Sequence, residues 1–191
     1  MQPSPEIVRG KSVAVVANAP ELLKLAYGDE IDDYDLVIRM NHGVPNAAVE
    51  HAIGTRTSIL TGGKVNVLPD DLLMVWWLKH TAIGDRDLKS VRGRARVPVW
   101  HMPKHYQDAM TARLGKGCSS GPLIARICAD NKADQISLYG FTCWGKLEDG
   151  LDYNWWKGVP QIHHNAEGEA AWLRERSTPI KPLHRLFYDK P

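Results

Sequence analysis

Long apolar runs are missing from this sequence of 191 residues. No stretch approaches the roughly 18 residues that a membrane span needs. The opening MQPSPEIVRGKS also lacks the apolar core of a signal peptide. Cysteine is scarce: Cys118, Cys128 and Cys143 make an odd number with no CxxC pair. That argues for a reduced, cytosolic chain and against a secreted disulfide framework. An excess of one charge is absent too. A formal net charge of +2 is too small for nucleic acid, which calls for a basic stripe. Arg92, Arg94 and Arg96 do alternate, a pattern that suits a solvated strand face, an anionic acceptor or a membrane surface. There are no internal repeats and no low-complexity segments. Lys116-Gly117 lacks the surrounding order of a P-loop, which argues against that class of ATPase.

What remains is an ordinary globular composition, 43% hydrophobic and 24% charged, with a length that fits one domain over residues 1–191. Continuous apolar, β-branched runs predict buried strands at 12–17 (SVAVVA), 34–40, 56–61, 72–77, 97–101 and 136–139. Helices are predicted at 21–27, ended by Gly28, and at 103–114 and 165–176. Another follows Ser120, with Leu123, Ile124, Ile127 and Cys128 on one face and a break at Asn131-Lys132. The tail from 179 to 191 contains prolines and is expected to wrap the surface. Tryptophan is abundant, and Trp76-Trp77 and Trp155-Trp156 read mainly as core packing. Strands alternating with helices predict an α/β fold: a single Rossmann-like domain with a mostly parallel sheet flanked by helices. Ligands of such sheets lie beyond the carboxyl ends of the strands, so the loops of interest begin at Asn18, Asn41, Gly62, His101 and Gly140.

Ser119, Ser120 and Gly121 open a helix whose N-terminal N–H groups and dipole suit a phosphate, with Pro122 expected at the first helical position. An N-cap and turn is the simpler use of the same residues. Asn18 and Asn41 each end a strand; an amide both donates and accepts, so the pair suits a nucleotide, although either residue alone suits a turn. His101 and His105 stand four apart, but Pro103 between them weakens a metal-binding helix. Arg39, in a buried strand, suits a structural pairing with a carboxylate.

Residues 12–41, from the buried strand ending at Asn18 through Gly28, Ile31-Asp32 and Tyr34-Asp35 to Arg39-Met40-Asn41, resemble the large sialylmotif of the family 29 sialyltransferases. Ile53-Gly54-Thr55-Arg56-Thr57 is similar to the segment that follows in that family. Ser119-Ser120-Gly121 through Tyr139-Gly140-Phe141 resembles the small motif, and His164 with Glu169 five residues on resembles the very small one. The match covers 12–61, 117–144 and 164–172. The family's inter-motif disulfide corresponds here to Val13 and Ala133, so both halves are absent together, as expected of a cytosolic homologue without a membrane anchor. The aromatic third motif is degenerate, with Tyr153-Asn154-Trp155-Trp156 as candidates, and residues 64–114 find no counterpart.

The resemblance implies the GT-A-like Rossmann variant of these enzymes. It implies inverting transfer of sialic acid, or the related sugar Kdo, from a CMP donor to a hydroxyl of an oligosaccharide, glycolipid or polysaccharide acceptor. His164 would be the general base and Glu169 its orienting partner or a helix cap, although His163-His164 could equally be surface histidines. Asn18, Asn41, Ser119, Ser120, Gly121 and Gly140 would hold the donor. No Asp-x-Asp pair sits at a strand end, so neither metal nor other cofactor is expected. Cytoplasmic residence, including the inner face of the membrane, follows as an expectation. The alternative is a cytidine-nucleotide-binding module of the same fold that has lost transferase activity.

Overall fold

The computed structural model describes residues 4–41, 43–62, 68–78, 96–141, 164–175 and 180–182. A 3-10 turn, Pro5–Val8, leads into β1 (Ser12–Val16), and a second, Pro20–Lys24, follows it. Next come α1 (Gly28–Asp32), β2 (Leu36–Met40), α2 (Glu50–Ile53), β3 (Ile59–Thr61), β4 (Met74–Trp77) and β5 (Val99–His101). The chain continues through α3 (Lys104–Leu114), α4 (Ser120–Asp130), β6 (Gln135–Tyr139), α5 (Ala166–Glu175) and β7 (Ile180–Pro182).

The strands form one sheet in the order β5-β4-β3-β2-β1-β6-β7, and every pairing is parallel. Val15 pairs with both Ile38 and Leu138, which centres the register on β1. The chain builds outward from β1 to β5 and then returns to β6 on the other side of β1. Strand order therefore reverses between β1 and β6, and the crevice at their carboxyl ends is where a ligand of such a sheet binds.

Successive side chains of a strand face opposite sides, so β1 feeds two cores. Val13 and Val15 join Ile38, Trp76, Trp100 and the buried Leu123, Ile124 and Ile127 of α4, together with Trp172 and Leu173 of α5. Ala14 and Val16 join Leu22, Ile31, Val37, Ile53 and Tyr139 on the other face. All of β2 is buried, including Arg39, which is why its sequence reads as an unbroken apolar run around one charge.

Three local expectations change. Residues 21–27 do not form an α-helix: a 3-10 turn ends at Lys24, and Gly28 begins α1 instead of stopping a helix. A Cβ at Gly28 would lie 2.3 Å from the carbonyl oxygen of Glu50, so this glycine permits the close approach of α1 and α2. Pro122 is the third residue of α4, not the first. The proline-containing tail also supplies an edge strand, β7, where the missing N–H of Pro182 is tolerated. The rest of that tail, the Tyr153–Trp156 candidates, His163, Cys143, Arg92 and Arg94 lie outside the described residues.

The segment resembling the large motif is held by an internal clamp. The Asp32 carboxylate accepts from the Thr55 N–H (2.7 Å), the Thr55 hydroxyl (2.8 Å) and the Arg56 N–H (3.0 Å). Arg56 donates in return to the carbonyls of Asp32 and Tyr34, both at 2.6 Å. Arg39 donates to the carbonyls of Ile53 (2.6 Å) and Arg56 (2.8 Å) and to the Thr57 hydroxyl (3.1 Å). Its partners are thus carbonyl and hydroxyl oxygens, where a carboxylate was expected. Burial lowers its pKa to about 10, against the pull of Asp32 and Asp71.

Candidate active site at the β1–β6 crevice

Asn18 leaves the end of β1 almost buried, at 7% exposure, and its Nδ2 donates to the Met40 carbonyl at 3.3 Å. Its Oδ1 is buried with no partner among the described residues. Asn41 follows β2 in the left-handed region, φ 54°, which a short polar side chain tolerates better than most. Its N–H donates to the Thr61 carbonyl at 2.6 Å, carrying the β2–β3 ladder one residue past the strand.

On the other side of β1, Gly140 ends β6 with φ 67°, and a Cβ there would crowd Leu22 Cδ2 at 2.9 Å. Ala17 donates to the Tyr139 carbonyl (2.8 Å) and Ala19 to that of Gly140 (3.3 Å), so the loops bearing Asn18 and Gly140 are laced together. The Phe141 ring lies against Gly121, where a Cβ would come within 2.3 Å of it. That contact brings the start of α4 to the end of β6.

Helix starts leave four N–H groups without intrahelical partners. In α4 these belong to Ser119, Ser120, Gly121 and Pro122, and the last has no N–H. Ser119 occupies the N-cap but makes no side-chain capping bond. The Ser120 and Gly121 N–H groups remain, unpaired among the described residues. They are the donors that α4 offers at the crevice.

The Ser119 groups are turned elsewhere. Its N–H donates to Glu169 Oε1 at 2.7 Å and its hydroxyl to Oε2 at 2.6 Å. Glu169 sits in the first turn of α5 and is only 1% exposed. Burial raises its carboxyl pKa, opposed by the two Ser119 hydrogen bonds and by the charge of His164. His164, just before α5, pairs in an isolated parallel bridge with Gly117, and its Nδ1 lies 3.3 Å from the Gly117 carbonyl oxygen. A carbonyl only accepts, so that contact makes Nδ1 the donor and leaves the neutral ring's lone pair on Nε2.

The structure therefore brings His164 and Glu169, at the start of α5, against Ser119, Ser120 and Gly121, at the start of α4, with Gly140 and Asn18 beside them and Asn41 one strand further along the same edge. His101 and His105 do not join them. His105 stacks on Tyr106, and among the described residues no group of three or more His, Cys, Asp or Glu is placed to hold a metal.

Sequence reasoning missed two participants. Asn165 caps α5 by accepting from the Gly168 N–H (3.0 Å) and ties it to α3 by donating to the Leu114 carbonyl (2.6 Å). The signal was available, since an asparagine before a helical run is a favoured N-cap. Thr61, the last residue of β3, is fully buried with a hydroxyl unpaired among the described residues, and no local pattern announces that.

Three comparisons bear on this arrangement. The sequence model of glycosyltransferase family 29 (sialyltransferase) matches residues 4–67. The human CMP-N-acetylneuraminate-beta-galactosamide-alpha-2,3-sialyltransferase 1 is 26% identical over 77% of this chain and 48% of its own length. Sialyltransferase-like protein 2 of Arabidopsis thaliana is 30% identical over 68% of this chain and 29% of its own. The chain thus spans about half the length of the human relative, or less of the plant one. A mammalian sialyltransferase structure, solved with Gal-beta-1-3GalNAc-ortho-nitrophenol, superposes with a TM-score of 0.69 at 22% identity, covering 94% of this chain and 71% of that one. That likeness establishes the Rossmann-like fold. The family model spans the loops that bear Asn18 and Asn41, and over that stretch the chain is similar to glycosyltransferase family 29, the sialyltransferase family.

Proposed function

We propose that this protein transfers sialic acid, or Kdo, from a CMP donor to a hydroxyl of a sugar acceptor, without a metal. The observation that carries the reading is the convergence of His164, Glu169 and the start of α4 at the point where strand order reverses. The donor called for is the one in the human relative's name, and the acceptor class is the one in the mammalian structure's title.

The cytidylate lies across the carboxyl ends of β1 and β2. Its phosphate accepts from the Ser120 and Gly121 N–H groups at the positive end of the α4 dipole, and the Asn18 and Asn41 amides flank it. Gly140 leaves room for it beside β6. His164 Nε2 takes the proton from the acceptor hydroxyl as that oxygen bonds to the anomeric carbon. The bond from the same carbon to the phosphate oxygen breaks, and CMP departs with the electron pair. A single displacement of this kind inverts the anomeric centre. N–H donors aimed at a developing phosphate charge are worth about 3 kcal/mol in comparable anion sites, which suffices for one phosphate. Glu169 acts at one remove, by holding Ser119 and hence the two donors that follow it.

The acceptor is a glycolipid or polysaccharide, and the chain works as one catalytic unit in a reducing, cytoplasmic setting. Support for the setting is the filling of the family's disulfide positions by Val13 and Ala133, both in the same buried cluster, and the free, buried Cys118 and Cys128. The test is CMP release from CMP-sialic acid and CMP-Kdo in the presence of sugar acceptors, with wild type and His164→Ala. Release by wild type alone supports the reading. CMP binding with no release by either protein supports a binding module instead.

A further inference from the structure

Among the glycines with positive φ, Gly10 and Gly115 have nothing within 4 Å of the position a Cβ would take, so backbone freedom alone explains them. Gly62 differs. It is buried, its φ is +110°, and a Cβ on it would lie 2.3 Å from Asn41 Oδ1, 3.1 Å from Asn41 Cγ and 3.2 Å from Asn41 Cα. The three nearest atoms all belong to one residue, and that residue is itself held in the left-handed region by a hydrogen bond to Thr61, the neighbour of Gly62. A non-glycine residue in that region stores strain that its surroundings must hold. Here the surroundings are the end of β3 and the space left by the missing side chain.

We infer that Gly62 is a positioning residue for the donor nucleotide: the absence of its side chain lets the Asn41 amide lie over the end of β3, at the height where it meets the ligand. This rests on the donor reading of Asn41 given above. Any side chain at position 62 displaces the amide, because a real Cβ does not sit 2.3 Å from an oxygen. Asn41 then keeps its backbone contact and loses its aim.

CMP titration calorimetry on wild type, Asn41→Ala, Gly62→Ala and the double variant tests this, with thermal midpoints measured alongside. Asn41→Ala is expected to weaken CMP about tenfold, the scale of a hydrogen bond to a charged or polar ligand group. Gly62→Ala is expected to weaken it by a similar factor. The double variant is expected to bind no worse than Asn41→Ala, the non-additivity of two residues acting as one, and to melt no lower than Gly62→Ala because the clash is gone. Gly62→Ala binding like wild type while Asn41→Ala is weakened overturns this inference alone, as does a double variant whose losses multiply. Asn41→Ala binding like wild type overturns the donor reading of Asn41 and this inference with it. If Gly62→Ala does not fold, recovery of folding on adding Asn41→Ala supports the contact, and failure of both to fold overturns it.

Discussion

Glu169 is buried in the first turn of α5 and spends both carboxylate oxygens on one serine. Removing it by Glu169→Ala leaves the Ser119 N–H and hydroxyl without partners, each costing about 1–3 kcal/mol if it stays buried. The donor KM is expected to rise at least tenfold, measured by steady-state CMP release. Glu169→Gln keeps both contacts, because an amide can accept from the N–H and donate to the hydroxyl, so the KM should stay within a few-fold of wild type. The raised pKa of Glu169 means that its proton is taken up above the usual carboxylate range. For stability, a raised folded pKa favours the fold below the unfolded value, and that contribution is lost as pH rises through the folded value. The protonated carboxyl keeps both contacts as the amide does, accepting from the N–H and donating to the hydroxyl. The donor KM on the acid side is therefore expected to stay within a few-fold of its neutral value, in wild type as in Glu169→Gln. His164 and Glu169 were legible in the sequence as a pair, but the partner of Glu169 was not: Ser119 stands fifty positions away, and only the packing of α5 on the α3–α4 loop brings them together. The Thr61 hydroxyl, unpaired among the described residues, was equally invisible. Thr61→Val should raise the urea midpoint, because a buried hydroxyl without a partner is replaced by a methyl group of the same shape.

The elements that carry the family likeness divide into those that hold the fold and those that reach the crevice. The Asp32–Arg56 and Arg39–Ile53 contacts join α1, β2 and the turn after α2 through carbonyls and N–H groups, away from the loops that bear Asn18 and Asn41. Asp32→Ala removes three accepted hydrogen bonds and is expected to destabilise the protein by about 3 kcal/mol in urea unfolding. CMP affinity measured well below the midpoint should be unchanged. The strands were readable from sequence because both faces of the sheet are covered, which makes β1, β2 and β6 near-continuous apolar runs. Their ends were less so. Predicted starts at 34, 56 and 72 move inward to Leu36, Ile59 and Met74, since the flanking residues make turns and clamp contacts in place of ladder pairs. The segment after Asn18 was misread because a glycine inside an apolar stretch signals a helix stop locally. Gly28 is instead required by the backbone of α2, which lies more than twenty residues on.

At the scale of the molecule, the order β5-β4-β3-β2-β1-β6-β7 places the only reversal of strand order among the described residues between β1 and β6. Every residue proposed to touch the donor phosphate lies beside that reversal. The parallel alternation was legible, and with it the edge of the sheet to search. The order itself was not, because nothing local tells β6 to cross back to β1. No helix among the described residues is long and apolar enough to cross a membrane. Phosphate held by N–H groups needs no cation, so CMP release should be unaffected by EDTA; loss of turnover that magnesium restores would refute the metal-free mechanism. The central claim is that a cytidylate sits with its phosphate at the start of α4. The most direct measurement is a titration of the 15N-labelled protein with CMP, cytidine and UMP, followed by amide chemical shifts. The account predicts that CMP moves the Ser120 and Gly121 amides most and Gly140 with them, that cytidine leaves the first two in place, and that UMP binds more weakly. Saturable CMP shifts confined to β4 and β5, or no binding of CMP at all, would contradict it.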